Sequence, residues 1–182
     1  MTVDKVSWGH RRNMNIEDVL TVEELIKTLA ETVSCGGNLL MNVGPDSSGV
    51  IPVIFQERRK QMGSWLEVNG EAIYSSSPWS CQNDTLNGAV WYTSKIDKDD
   101  GDVVYATVLE WPESGMLDLG CPVPGDNTEV EMLGFPKKLH WKKGKGAKSR
   151  MAVEMPDISK VGTQWAWVIR MKALDNSGNF IG

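Results

Sequence analysis

Apolar residues recur at spacings of three and four from Thr21 onward, where Val22, Leu25, Ile26, Leu29 and Val33 make the stripe of a helix packed on one face. Thr21 followed by Glu24 supplies a capping box at its start, and Gly36 and Gly37 supply its end. The next run, Asn38-Leu39-Leu40-Met41-Asn42-Val43, is short and nearly continuously apolar. That is the composition of a parallel strand covered on both faces, so a buried strand is predicted here. Gly44-Pro45-Asp46-Ser47-Ser48-Gly49 reads as a loop, and Pro52 stands where a helix can begin without losing a needed donor. Ile54, Phe55, the stem of Arg58, Met62, Trp65 and Leu66 then keep helical spacing up to the turn at Asn69-Gly70. Helix, buried strand, loop and helix form one repeat of an α/β layer or barrel, and one repeat cannot close a barrel.

Beyond Tyr74 the pattern changes to short alternating runs separated by turn residues: Val90 to Thr93, Val103 to Trp111, Met116 to Leu119, Glu129 to Leu133, Met151 to Met155 and Trp165 to Met171. Turns every 8 to 12 residues or so fit an antiparallel β-sandwich. Ser75-Ser76-Ser77-Pro78 marks a boundary between the two regimes, giving domains 1–74 and 75–182. No internal repeat or low-complexity tract interrupts either part.

At 182 residues and 41% hydrophobic composition the chain can bury a sizeable core in one or two units. A net charge of −5 removes the electrostatic basis for general nucleic-acid binding. One local exception is Lys142, Lys143, Lys145, Lys148 and Arg150, interleaved with Gly144 and Gly146. This run reads as a solvated hairpin loop in preference to a phosphate or heparin patch. No stretch approaches the roughly 18 apolar residues of a membrane span. Met1 to Lys5 lack the basic and apolar regions of a leader, which suggests a cytosolic product unless the chain is a piece of a longer one. Cys35, Cys81 and Cys121 are widely spaced and odd in number, without CxxC or a histidine partner. They indicate neither a metal site nor a disulfide framework, and at least one thiol stays unpaired.

Candidate chemistry is sparse. His10 and His140 are the only histidines, and neither is flanked by a nucleophile motif. The loop at Gly44 precedes a helix but has neither GxxxxGK[ST] nor GxGxxG. Of eight tryptophans, Trp65 keeps helical spacing and Trp91, Trp111 and Trp165 lie in strand-like runs, which favours core packing. Trp8 differs: it sits in the irregular, donor-rich stretch Ser7-Trp8-Gly9-His10-Arg11-Arg12, a composition suited to the rim of a pocket. Asn83-Asp84-Thr85 meets the N-glycosylation rule.

Three blocks taken together carry more than their parts: Ser7 to Arg12, Thr32 to Pro45 through Cys35-Gly36-Gly37-Asn38-Leu39-Leu40-Met41-Asn42, and Gly63 to Tyr74. In this order they resemble animal α-L-fucosidases, and Gln82-Asn83-Asp84-Thr85 with Val90-Trp91-Tyr92-Thr93-Ser94 extends the likeness, nearest to the plasma, secreted type. The resemblance covers almost all of residues 1 to 174. It implies the C-terminal sector of a (β/α)8 barrel followed by an antiparallel β-sandwich, and a retaining hydrolase that removes terminal α-linked fucose from glycans. It further implies that the nucleophilic aspartate and the acid/base glutamate precede Met1, so that no catalytic residue is assigned to this chain, Asp4, Glu17, Asp18, Glu23 and Glu24 included. Trp8, His10, Arg11 and Asn42 would stand at the rim of the fucose pocket, with His10 where the family more usually has tyrosine. The resemblance implies no cofactor or metal. It brings fucosylated glycans as partners of the full-length enzyme, allows a homo-oligomer of that enzyme, and points to secretion or the lysosome, with neither nucleic acid nor membrane as a partner. The rival from another class is a noncatalytic carbohydrate-binding or interaction module built on the sandwich.

Overall fold

A computed structural model describes residues 1–97, 101–145 and 148–178. Positions 146 and 147 of the glycine-lysine run lie outside the described residues. Helix α1 spans Val22–Ser34, and Thr21 caps it as its sequence requires: the Thr21 hydroxyl accepts from Glu24 N–H and the Glu24 carboxylate accepts from Thr21 N–H. Helix α2 spans Val53–Asn69, begins directly after Pro52, and passes through a 3-10 turn at Gly70–Ala72. The loop before α2 is closed by Asp46, whose carboxylate accepts the N–H groups of Ser48 and Val50.

Eight strands follow: β1 Ser77–Asn83, β2 Val90–Asp97, β3 Gly101–Val108, β4 Met116–Leu119, β5 Pro124–Met132, β6 Trp141–Lys143, β7 Met151–Glu154 and β8 Trp167–Leu174. They form a five-stranded sheet in the order β1-β2-β3-β8-β5 and a three-stranded sheet in the order β4-β7-β6, antiparallel throughout. The inner faces enclose the largest apolar core, with Tyr92, Val104, Ala106 and Ile169 on one side and Leu117, Leu119, Met151 and Val153 on the other. The opposite face of the larger sheet presents Val103, Tyr105 and Val168 to α1 and α2, where they pack on Leu25, Ile26, Met62 and Trp65. The indole N–H of Trp65 donates to Ala166 O at 2.9 Å, tying α2 to the approach to β8. Alternation along β3 thus serves two cores at once, and helices, large sheet and small sheet form three layers.

Three sequence expectations change. The segment 38–43 is not a buried parallel strand: it makes a single parallel bridge, Thr2 to Asn42, and Leu40 is 69% exposed. A parallel strand needs a ladder on its edges to satisfy its backbone, and here the N–H of Val3, the N–H of Asn42 and the Met1 ammonium, which donates to Leu40 O, make a short patch in its place. The serine-proline stretch read as a boundary already holds the start of β1 at Ser77, because an edge strand tolerates the missing donor of Pro78. The cysteines also form a bond that their spacing did not indicate. Cys81 in β1 and Cys121 after β4 are joined as a disulfide, and Cys35 stays free and exposed.

Candidate functional site

The polar loop that carries Trp8 lies against the segment around Asn42. Asn42 donates its N–H to Met1 O at 3.0 Å and accepts from Val3 N–H at 3.1 Å. Its side-chain amide donates to Trp8 O at 2.7 Å. Gly44 meets the other side of the loop so closely that a Cβ there would lie 2.6 Å from both the Gly9 carbonyl carbon and the His10 nitrogen. Only glycine permits that approach. Held in this way by its backbone, the loop turns Trp8 outward, 58% exposed, with His10 exposed beside it.

Arg11 anchors the same loop from beneath. Its Nε and one terminal nitrogen donate to both oxygens of Asp4, at 2.8 and 3.0 Å, and that terminal nitrogen also reaches Asp18 at 2.9 Å. Asp4 is 2% exposed and further accepts the N–H groups of Val6 and Ser7. The Arg11 hydrogen bonds, with help from those two amides, hold the Asp4 carboxyl below the usual carboxylate range. For Asp18 the Asn15 N–H is the larger cause of the same downward shift, and Arg11 the second. The pair of carboxylates in turn drives the Arg11 guanidinium further above its usual value.

Of the four rim residues expected from sequence, Asn42 holds Trp8 through its side-chain amide, His10 follows on the same loop with its backbone against Gly44, and Arg11 stands there too with its guanidinium spent on Asp4 and Asp18. Sequence reasoning passed over Asp4 as an anchor; its signal was the opposite charge of Arg11 seven residues on, inside an otherwise irregular stretch. A cleft of about 550 Å³ lies elsewhere, between the start of α1 and the ends of the large sheet, lined by Glu23, Lys27, Asn87, Glu110 and Trp165 among others. Trp165 adopts φ 70° there. Among the described residues no group of three or more His, Cys, Asp or Glu is placed to hold a metal ion, and no helix is long and apolar enough to cross a membrane.

Asn83 ends β1, and its side-chain nitrogen donates to Gly88 O and Val90 O, both at 3.0 Å. The next residue, Asp84, is buried and accepts from the N–H groups of Leu86, Asn87, Gly120 and Cys121 and from the Tyr92 hydroxyl at 2.7 Å. Burial, with Asp84 beside it, pushes the Tyr92 hydroxyl well above its ordinary pKa.

Comparison with known proteins places these features in a family. The family model described as "Alpha-L-fucosidase" matches residues 1–71 and that described as "Alpha-L-fucosidase C-terminal domain" matches residues 82–172. The chain is 53% identical over 176 residues to an α-L-fucosidase of Branchiostoma floridae, which covers 96% of this chain and 38% of the relative. It is 53% identical over 174 residues to the plasma α-L-fucosidase of Rattus norvegicus, covering 94% and 37%, and 42% identical over 172 residues to the human tissue enzyme, covering 93% and 35%. The crystal structure of Thermotoga maritima α-fucosidase in complex with a mechanism-based inhibitor superposes with a TM-score of 0.79 at 28% identity, over 94% of this chain and 38% of that one. The chain therefore spans little more than a third of the length of these relatives. With one model over the loop-and-helix part and the other over the sheets, in that order along the sequence, the chain belongs to the α-L-fucosidase family.

Proposed function

We propose that this chain is the C-terminal portion of a retaining α-L-fucosidase that releases terminal α-L-fucose from glycans, with residues 1–74 as a sector of the (β/α)8 barrel and 75–182 as the C-terminal sandwich. The observation that supports it most is the exposed Trp8 ring, held in place through Asn42 and Gly44 beside the loop that precedes α2. A flat apolar ring suits the apolar face of a deoxy sugar, and the exposed imidazole of His10 can hydrogen-bond a hydroxyl. Asn42 and Arg11 act as positioning residues: both are committed to the loop itself, one to the Trp8 carbonyl and one to Asp4 and Asp18.

Retaining hydrolysis takes two carboxyl groups about 5 Å apart across the glycosidic bond. In the 1–74 region Asp4 and Asp18 share Arg11, while Glu24 serves Thr21 and Lys5. The nucleophile and the acid/base are assigned to the part of the full enzyme that this chain does not span, and the chain alone is inactive. The disulfide suits an oxidising compartment, in keeping with a secreted or lysosomal enzyme. Asn83 carries a glycan in this reading, at the cost of one of the two hydrogen bonds its side-chain nitrogen now donates. Assay on an aryl α-L-fucoside tests the whole: the chain alone shows no turnover and a version extended to the length of the relatives does. Equal turnover by the two would sink the assignment.

A further inference from the structure

Residues 137–150 contain seven of the chain's nineteen Lys and Arg residues and none of its twenty-four acids. In an acidic chain of net charge −5 this is a marked separation of charge. The structure gathers these residues at one border of the molecule. β6 is the outer strand of the three-stranded sheet, and the hairpin to β7 closes where Gly144 N–H donates to Arg150 O at 3.0 Å. Lys137, Lys142, Lys143, Lys145, Lys148 and Arg150 are all exposed, and among the described residues none of the six is ion-paired. Lys138 differs, being tied to Glu129. The neighbouring β7 and β4 contribute single acids to this border, Glu154, whose N–H meets His140 O, and Asp118, which accepts from Ser149, while the acids of β5, Glu129 and Glu131, and Glu71 lie at its Lys137–Lys138 end. Lysines on an edge strand keep a second strand from pairing there, and Lys142 and Lys143 suffice for that. Edge protection leaves the four cations outside β6 unexplained.

We propose that this basic border is a binding surface for a linear sulfated polysaccharide. From Lys137 to Lys145 the backbone can extend at most roughly 26 Å, enough to meet several sulfates on one extended chain. Lysine ammonium groups are compact point charges that satisfy sulfates without requiring bidentate geometry. At physiological salt a charge acts over a Debye length of about 8 Å, so the cations nearest one another along the chain are the ones that reinforce each other. A nucleic acid is the poorer fit. Trp141, the one tryptophan in the run, is partly buried against the core and donates its indole N–H to Thr128 O at 3.0 Å, which leaves the small imidazole of His140 as the exposed ring there.

The test is retention of the full chain on immobilised heparin at about 0.15 M salt, compared with the variant Lys142→Ser/Lys143→Ser/Lys145→Ser/Lys148→Ser. The chain is retained, and the fourfold variant loses affinity by about tenfold or more and shows a shallower dependence on salt. A variant removing Lys5, Lys27 and Lys160, all remote in sequence and each ion-paired to an acid, keeps its affinity. If the fourfold variant misfolds by circular dichroism, Lys145→Glu/Lys148→Glu, confined to the turn, replaces it with the same expectation. Absence of retention, equal losses in the border and remote variants, or equally tight binding of single-stranded DNA would each overturn the proposal.

Discussion

Asp4 and Asp84 are both nearly sealed from water, 2% and 4% exposed, and the two halves of the molecule stabilise them in different ways. In the Trp8 loop the charge is met by a cation: Arg11 clamps Asp4 and draws in Asp18 as well. In the sandwich no cation among the described residues pairs with Asp84, and four backbone N–H groups and a tyrosine hydroxyl form a cage around it. The cage belongs to a dry core whose strands already fix the donors. The clamp belongs to a loop with little apolar surface of its own, Val3 and Val19 aside, where long-range Coulomb attraction can order a segment that packing cannot. A loop presenting an exposed aromatic ring needs an internal lock, whereas a sandwich can spend its polar groups on linking sheets.

The sharpest way to break this contrast is to open the disulfide, which lies on the Asp84 side. Cys81 and Cys121 are 40 residues apart, and closing a loop of that length contributes about 4 kcal/mol on chain-entropy grounds. The Cys81→Ser/Cys121→Ser variant is expected to lose roughly that much in urea unfolding, with tryptophan fluorescence reporting the sheets. Next in size is Asp84→Ala, expected to cost about 3 kcal/mol because it strands several buried donors, with Tyr92→Phe costing only about 1 kcal/mol. A loss for Asp84→Ala no larger than that of Tyr92→Phe would mean that the backbone cage contributes little.

The lock under the Trp8 loop is expected to be weaker and to depend on pH. Asp4→Asn should cost about 1.5 kcal/mol, seen as faster hydrogen exchange at Val6 and Ser7 with the sheets unchanged. Because the folded-state pKa of Asp4 is held below its ordinary 3.8, the stabilisation is complete above that value and is lost as pH falls below it toward the folded-state pKa. Exchange at Val6 and Ser7 should therefore accelerate below about pH 4 in the parent and show less change in Asp4→Asn. The smallest effect falls on Trp8→Ala, within about 0.5 kcal/mol of the parent in stability, since the ring is mostly exposed. In the extended enzyme the same change should raise KM for an aryl fucoside, and a large loss of stability with KM unmoved would make Trp8 a packing residue.

Most of this architecture was legible where local pattern and burial agree. Helix α1, its capping box, the start of α2 after Pro52 and the strands β2, β3, β4, β5, β7 and β8 follow from periodicity within a few residues. β1 escaped because serine and proline are turn formers everywhere except on an edge, and being an edge is a property of the assembled sheet. β6 hid within the lysine run for the same reason. Leu39-Leu40-Met41 misled in the other direction, since an apolar run shows a wish for burial without showing which neighbours provide it.

The two regimes, the caps and turns, the family blocks and the loop that carries Trp8 can all be read from the amino-acid order, because each is written in residues close together along the chain. It takes the folded chain to bring Cys81 to Cys121, to spend Arg11 on Asp4 and Asp18, to close the cage of Asp84 with Gly120 and Cys121, and to make one sheet serve two cores. Most of these join groups far apart along the chain, and all depend on how the chain closes in space, which neither spacing nor composition encodes.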